Sequence, residues 1–488
     1  MMERYILIAC MTILSLTAQA QVDDFSKKYD NFRRKARQEY SDFRDAANKK
    51  YAEFLLDAWK QYKSLPEIPK PKDENVTPVI MPEDDKDKDM QSTPIVIDEV
   101  ATTPMPEPQP VPVAPIPETP MKEKDYKFAF YGGTYNVRIN EDARFTIRDC
   151  SGTELSRVWK ELSTELYNNT IRDCLELRIK LQLSDWAYLN MLDVFTKSVY
   201  GDSNEATFLM AYMYCQSGYS MRLGISENKL CMLYASKHTI YGQPYFRING
   251  VIYYPYKCLA TSMEICDASY PAEKPLSLFI ASSQNFAYKA SETRTLVSKR
   301  YPEVNVRLSV NKNLIDFYNT YPSSEIGDNF MTRWAIYANT PMEKSITESL
   351  YPEIKKFISG MTDKEAVERI LNWVQTAFVY EYDDTVWGHD RAFFAEESLY
   401  YPFCDCEDRS ILFTRLVRDL LGLKCILVYY PGHLASAVCF NENIDGDYIK
   451  LGDNHFIVCD PTYIGAPVGK TMPDMNNSKA NIILLTSP

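Results

Sequence analysis

The sequence predicts an α+β fold in which a helix packs on an antiparallel sheet, and three observations near its C-terminus carry that expectation. Ile411, Leu412, Leu416, Val417, Leu420 and Leu421 recur at helical spacing and stop at Gly422, a residue suited to the left-handed turn that ends a helix. Two apolar runs follow, Lys424–Tyr430 and Leu434–Phe440, rich in Val, Ile, Cys and Tyr. Pro431-Gly432 breaks them, which reads as two strands joined by a turn. A third run, His455–Cys459, carries the chain to Asp460-Pro461 at a strand end.

These elements aim three chemistry-bearing residues at one place. Cys406, His433 and Asp460 are spaced 27 residues apart and then 27 again. Cys406 opens the helix, where unpaired N–H groups and the macrodipole favour a thiolate. His433 opens the second strand, placed to act as base, and Asp460 ends the third, placed to hold the imidazole tautomer. A cysteine on a helix is more often a small buried hydrophobe, but that reading has to account for all three positions together. Cys425, Cys439 and Cys459 lie inside apolar strands and read as core. Of the four histidines, His389 in Trp387-Gly388-His389-Asp390 is the rival base, His455 reads as a plain strand residue, and His238 has no assigned role.

The stretch Phe403-Cys404-Asp405-Cys406-Glu407-Asp408, with Gly422-Leu423, Gly432-His433 and Asp460-Pro461-Thr462, resembles the transglutaminase-like superfamily over residues 340–488. That family combines a G-x-C-x-D helix start, a strand histidine and a strand-end D-P. The resemblance implies a papain-like core with Cys406 as nucleophile, His433 as base and Asp460 as its orienter. Where the family often has glycine two residues before the nucleophile, this chain has Cys404, which would narrow the pocket or serve as a redox partner. The aromatic loop 380–403 is expected to wall the cleft, with Tyr382, Trp387 and Cys404 as candidate substrate contacts.

Composition frames the rest. The chain has 488 residues, 45% of them hydrophobic, and a net charge of −12, so it can build two or three domains and has no basic stripe for nucleic acid. Residues 1–20 read as a secretory signal with a small-residue site at Ala18-Gln19-Ala20, which implies export to the periplasm, the cell surface or the medium. No later segment has the roughly 20 apolar residues of a membrane span. Eleven cysteines remain after residue 20, an odd number that leaves at least one thiol free; Cys258 with Cys266 would close a short loop. With no H-E-x-x-H and no paired C-x-x-C, neither a metal nor a cofactor is expected.

Residues 21–65 repeat every eleven positions, with Tyr29, Tyr40, Tyr51 and Tyr62 in one column and Phe32, Phe43, Phe54 and Leu65 in another. Three helical turns take about eleven residues, so the columns predict one long amphipathic helix. It would lie on its own globular part, self-associate as a coiled-coil stalk, or touch the envelope through its basic start at Lys27, Lys28, Arg33, Arg34, Lys35 and Arg37. Fourteen of the chain's 28 prolines fall between Pro66 and Pro120, so residues 66–122 read as an extended tether. Residues 123–275 align with the catalytic part, 341–488, at an offset of 204 to 206 when Gly218-Tyr219 is set on Gly422-Leu423. They read as a degenerate copy in which Asp202, Asn228 and Tyr254 take the catalytic places. Residues 276–340 read as a connector or small β-rich element, with Val304, Val306, Leu308 and Val310 alternating as in a half-buried strand. Helices are expected within 345–359, restarting at Pro352, and over 363–376 behind a Thr362 cap.

The expected chemistry is attack by Cys406 on an amide carbonyl to give a thioester. Resolution by water makes a peptidase or amidase acting on protein or cell-wall peptides, and resolution by an amine makes a cross-linking transferase. The competing class is a non-catalytic binding or assembly protein that keeps the fold as a scaffold.

Overall fold

A computed structural model describes residues 31, 34–35, 38–71, 77–82, 91–97, 99–101, 116–119 and 124–487. The expected signal segment, the basic residues before Asn31 and the proline-densest stretch, 104–110, lie outside them. The architecture is mixed α+β with mainly antiparallel sheets.

The N-terminal helix, α1 (38–57), ends well before residue 65. At Ala58 the chain turns into strand β1 (Trp59–Lys63), so the eleven-residue columns outrun the helix that they predict. The face of α1 that carries Ala47, Tyr51, Ala52 and Leu55 is buried against the chain's own body. Tyr51 packs 4.4 Å from the Trp159 ring and 5.9 Å from Tyr270. Arg44 donates to Asn168 at 2.8 Å, and Asn48 exchanges amide hydrogen bonds with Gln216. Gly152 is required where the next helix starts against α1, because a Cβ there would stand 2.5 Å from the Leu55 carbonyl oxygen. Of the three roles open to this helix, docking on its own globular part is the one its buried face supports.

The proline-rich segment is not a free tether in its described parts. The 79–81 stretch exchanges backbone hydrogen bonds with Ile464, Met81 N–H to Ile464 O and Ile464 N–H to Val79 O. Two short strands follow, β2 (Thr93–Ile95) and β3 (Glu99–Ala101). Both are built into the sheet of the C-terminal half.

The N-terminal half contains α2 (Asn204–Gln216), β4 (Met221–Ser226), β5 (Lys229–Ala235), β6 (Phe246–Ile248), β7 (Val251–Pro255) and β8 (Ser262–Cys266). The C-terminal half contains α3 (Asp363–Ala377), α4 (Cys406–Leu421), β9 (Lys424–Tyr430), β10 (His433–Cys439), β11 (Asp447–Leu451), β12 (Asn454–Cys459) and β13 (Asn481–Leu484). The two sheets run β1-β8-β4-β5-β7-β6 and β3-β13-β9-β10-β12-β11-β2. Without the strands added from the N-terminal segment, β8-β4-β5-β7-β6 and β13-β9-β10-β12-β11 have the same order, the same connectivity and the same antiparallel pairing throughout. Each is preceded by its helix, α2 or α4.

The second sheet closes on itself. β2 and β3 stand at opposite ends of a seven-strand order, yet Ile95 and Glu99 are four residues apart, a reach of about 14 Å. Six strand spacings in a flat sheet would need about 29 Å. The sheet therefore curls until the 93–101 segment pairs with β11 on one side and β13 on the other, both in parallel. Its interior holds Ile95, Val428, Tyr430, Ala437, Phe456 and Ile482, while Leu427, Leu434, Val438 and Ile457 face the helical layer. With both faces buried, these strands read as unbroken apolar runs rather than as alternation.

Between the halves, Arg294–Val297 pairs with Asn305–Leu308, and Val304, Val306, Leu308 and Val310 are buried. The same stretch also holds two helices, Lys312–Tyr318 and Thr332–Asn339, so it is not purely a β element. The helix expected to restart at Pro352 is continuous over Lys344–Ile358, with Pro352 inside it. α3 begins as expected, with Thr362 and Glu365 forming a reciprocal cap.

Candidate active site

α4 starts at Cys406, and Asp408 in its first turn reaches back to accept from Asp405 N–H at 3.3 Å. The helix stops at Gly422, whose φ of +68° gives the left-handed end. Ser410 Oγ donates to the Leu434 carbonyl at 2.8 Å and so ties α4 to β10. The register of β9 and β10 pairs Tyr430 with His433 across Pro431-Gly432, which fixes His433 as the first residue of its strand.

His433 and Asp460 meet at this junction, and Cys406 lies next to the backbone of Leu434. Leu434 N–H, next to His433, donates to the Cys406 sulfur. His433 Nε2 lies 2.9 Å from Asp460 Oδ2, while its Nδ1 is buried with no hydrogen-bond partner among the described residues. Asp460 Oδ1 accepts from Thr462 N–H at 2.8 Å and from Tyr463 N–H at 3.3 Å, so the carboxylate is held at both oxygens. All three side chains are buried.

Two positioning residues escaped the sequence reading. Gln375 Nε2, on α3, donates to the carbonyls of Asp460, Tyr463 and Ala466 at 2.8–3.1 Å and clamps the Asp-Pro loop. Arg409, buried one helical turn after Cys406, donates to the carbonyls of Gln375, Phe378 and Pro461. Neither belongs to a local motif. The only sequence signal was the placing of a long polar side chain among apolar helix positions.

The electrostatics differ from the expectation of a helix-activated thiolate. Burial raises the Cys406 thiol well above its ordinary value, and the neighbouring Glu407 and Asp405 carboxylates raise it further. Cys406 Sγ lies 3.2 Å from Glu407 Oε2. The helix start is present, but loss of solvent and like charge outweigh it. The balance favours the neutral thiol.

The other candidates fall in different places. Cys404 is buried in a two-residue strand paired with Val379–Tyr380, its thiol pushed up to about 11 by burial, so it packs beneath the site rather than opening onto a cleft. Trp387 meets Phe393 and Tyr401 edge to face, with the Arg391 guanidinium over its ring. Tyr382 is half-buried and donates to Thr77 Oγ1 of the proline-rich segment at 3.0 Å. His389 is exposed and folds back on the Trp387 carbonyl. His238 is buried, lowered to about 3 by desolvation, and bonded to Leu278 N–H and Ser324. Cys258 and Cys266 are both free thiols, with Cys258 packed in the cluster that contains Cys231.

In the N-terminal half, the residue matching Cys406 is Asn204 rather than Asp202. Asn204 opens α2, and its Oδ1 accepts from Leu230 N–H, just as the Cys406 sulfur accepts from Leu434 N–H. Lys229 then matches His433 at the strand start, and Tyr256 matches Asp460 just past the strand end. Asp202 projects into solvent with its side chain 93% exposed.

Carboxylate oxygens that a cation can bridge lie within 4.8 Å of one another in two sets, Asp383 with Asp405 and Asp408, and Asp383 with Asp390 and Glu407. No helix among the described residues is long and apolar enough to cross a membrane. Compared with protein-family models, curated proteins and solved structures, the chain matches none.

Proposed function

We propose that the chain is an exported cysteine hydrolase of transglutaminase-like type that cleaves peptide amide bonds. The reading rests on one observation above the others: His433 gives Nε2 to Asp460, keeps Nδ1 unpartnered, and adjoins the residue whose N–H reaches the Cys406 sulfur. In the reaction, Nδ1 accepts the thiol proton as Sγ forms a bond to the amide carbonyl carbon. The Cys406 backbone N–H, unpaired at the helix start, donates to the developing oxyanion. Collapse breaks the C–N bond, the amine leaves with the proton from Nδ1, and an acyl thioester remains. Water then attacks the thioester carbonyl, giving up a proton to Nδ1, which returns it to sulfur as the carboxylic acid departs. Asp460 fixes the tautomer throughout.

The N-terminal half is a catalytically silent copy in this reading. Its shared strand order supports that view, and its Asn204, Lys229 and Tyr256 supply neither thiol nor imidazole.

Peptide-mapped alkylation by iodoacetamide tests the activated nucleophile. Cys406 is expected to react about a hundredfold more slowly in His433→Ala than in the unchanged chain at pH 7. Equal rates would move the reading to a non-catalytic scaffold.

A further inference from the structure

Five carboxylates converge beside the thiol. Asp405, Glu407 and Asp408 come from the start of α4, Asp383 from the short helix Asp383–Val386, and Asp390 from the loop after it. All except Asp390 are exposed by 6% or less. Buried like charges at this spacing demand a proton or a cation, and burial together with the Glu407 charge already pushes Asp383 up to about 8. One oxygen, Asp405 Oδ1, is buried and accepts no hydrogen bond from the described residues.

An ammonium is what sits against this cluster. Lys70 Nζ lies 3.6 Å from Asp390 Oδ2, donates to the Asp390 carbonyl, and its charge favours the ionised form of Asp383. The second cation, Arg333, is 3.0 Å from Asp390 Oδ2 and belongs to the packed body, with its guanidinium 4.5 Å over the Trp334 ring. Lys70 arrives instead from the proline-rich segment, which is held nearby through Ile68 at Tyr241 and Thr77 at Tyr382.

We propose that the carboxylate cluster is a subsite for a primary ammonium of the substrate, and that Lys70 occupies it as an internal stand-in. The proposal rests on the hydrolase reading and names the substrate class. Glu407 touches the thiol, at 3.2 Å, and forms with Asp383 and Asp390 a set whose oxygens lie within 4.8 Å of one another. An extended peptide advances about 3.3 Å per residue, so the ammonium belongs one or two residues from the scissile amide. Substrates are therefore short peptides with a free N-terminus, or peptides with an amine-bearing side chain next to the cleaved bond. Lys70 has to withdraw before either can enter.

The test compares two alkylating probes on the full chain, N-(2-aminoethyl)iodoacetamide and its neutral isostere N-propyliodoacetamide, with Cys406 followed by peptide mapping. In Lys70→Met, which keeps the apolar stem and removes the charge, the cationic probe is expected to label Cys406 about tenfold faster than the neutral one. The ratio is expected to be smaller in the unchanged chain and to fall to about one when Asp390→Asn is added; using a ratio cancels any general loss of folded protein. Protection by alanyl-alanine amide would assign the subsite to an α-amine, and protection by Nα-acetyl-lysine amide to a side-chain amine. Equal labelling by the two probes in Lys70→Met would overturn the subsite and leave the nucleophile standing. No labelling of Cys406 by either probe would overturn the nucleophile, and the subsite with it.

Discussion

Cys406 is subject to two opposed influences, and their balance sets how it reacts. The helix start and Leu434 N–H favour the thiolate, while burial, Glu407 and Asp405 disfavour it more strongly. In the proposed hydrolase a neutral thiol would pass its proton to the imidazole as it attacks, as a general-base pair rather than a standing ion pair. The sign for substitution follows: removing the Glu407 charge lowers the thiol's titration point. The pH profile of Cys406 alkylation should shift to lower pH in Glu407→Gln, with faster labelling at every pH below the midpoint. An unmoved profile would mean that Glu407 does not face the sulfur. At this scale the residue types and spacing of Cys406, His433 and Asp460 were legible, because each opens or ends an element marked by periodicity. The raised thiol was not, because it depends on burial and on Asp405 and Glu407 turning inward. Gln375 was equally hidden, since its partner carbonyls at 460, 463 and 466 lie on a loop about 90 residues away in sequence.

Among the elements, the proline-rich segment shows where composition misleads. Prolines argue against helix and remove backbone donors, and both hold here. They do not say whether a distant sheet has two open edges that a short extended stretch can bridge. β2 and β3 do this with three residues each, Pro94 included, and send Ile95 into the barrel interior at 6% exposure while Val96 stays 74% exposed. Ile95→Ala should therefore cost about 2–5 kcal/mol in urea unfolding, while Val96→Ala should stay within about 0.5 kcal/mol. Equal effects would mean that the segment does not close the sheet in solution. The end of α1 was hidden for a related reason. The aromatic columns continue through Tyr62, but from Trp59 onward the backbone pairs with β8, and Tyr62 turns to Asp267 instead of continuing a helical face.

Across the whole molecule, the matching strand orders and the offset near 204 describe the same relation, one in topology and the other in sequence. Alignment from Gly218-Tyr219 found the helix and strands of the N-terminal half but placed the matching positions one or two residues early, Asp202 for Asn204, Asn228 for Lys229 and Tyr254 for Tyr256. The halves are not independent bodies. A single apolar core runs from Tyr51 and Trp159 through Trp334 to Leu416, and the N-terminal segment adds strands to both sheets. Lys70 belongs to that same segment, so the strands that complete the fold and the lysine paired with Asp390 at the edge of the carboxylate cluster arrive on one piece of chain. In the proposed reaction Cys406 forms an acyl thioester. The most direct measurement is to incubate the full chain, as Lys70→Met and as Lys70→Met/Cys406→Ser, with short free-amine peptides and hydroxylamine, and to search by mass spectrometry for peptide hydroxamates. Hydroxamates that depend on Cys406 are expected; their absence alongside intact peptides, or their persistence in the Cys406→Ser chain, would rule out the thioester.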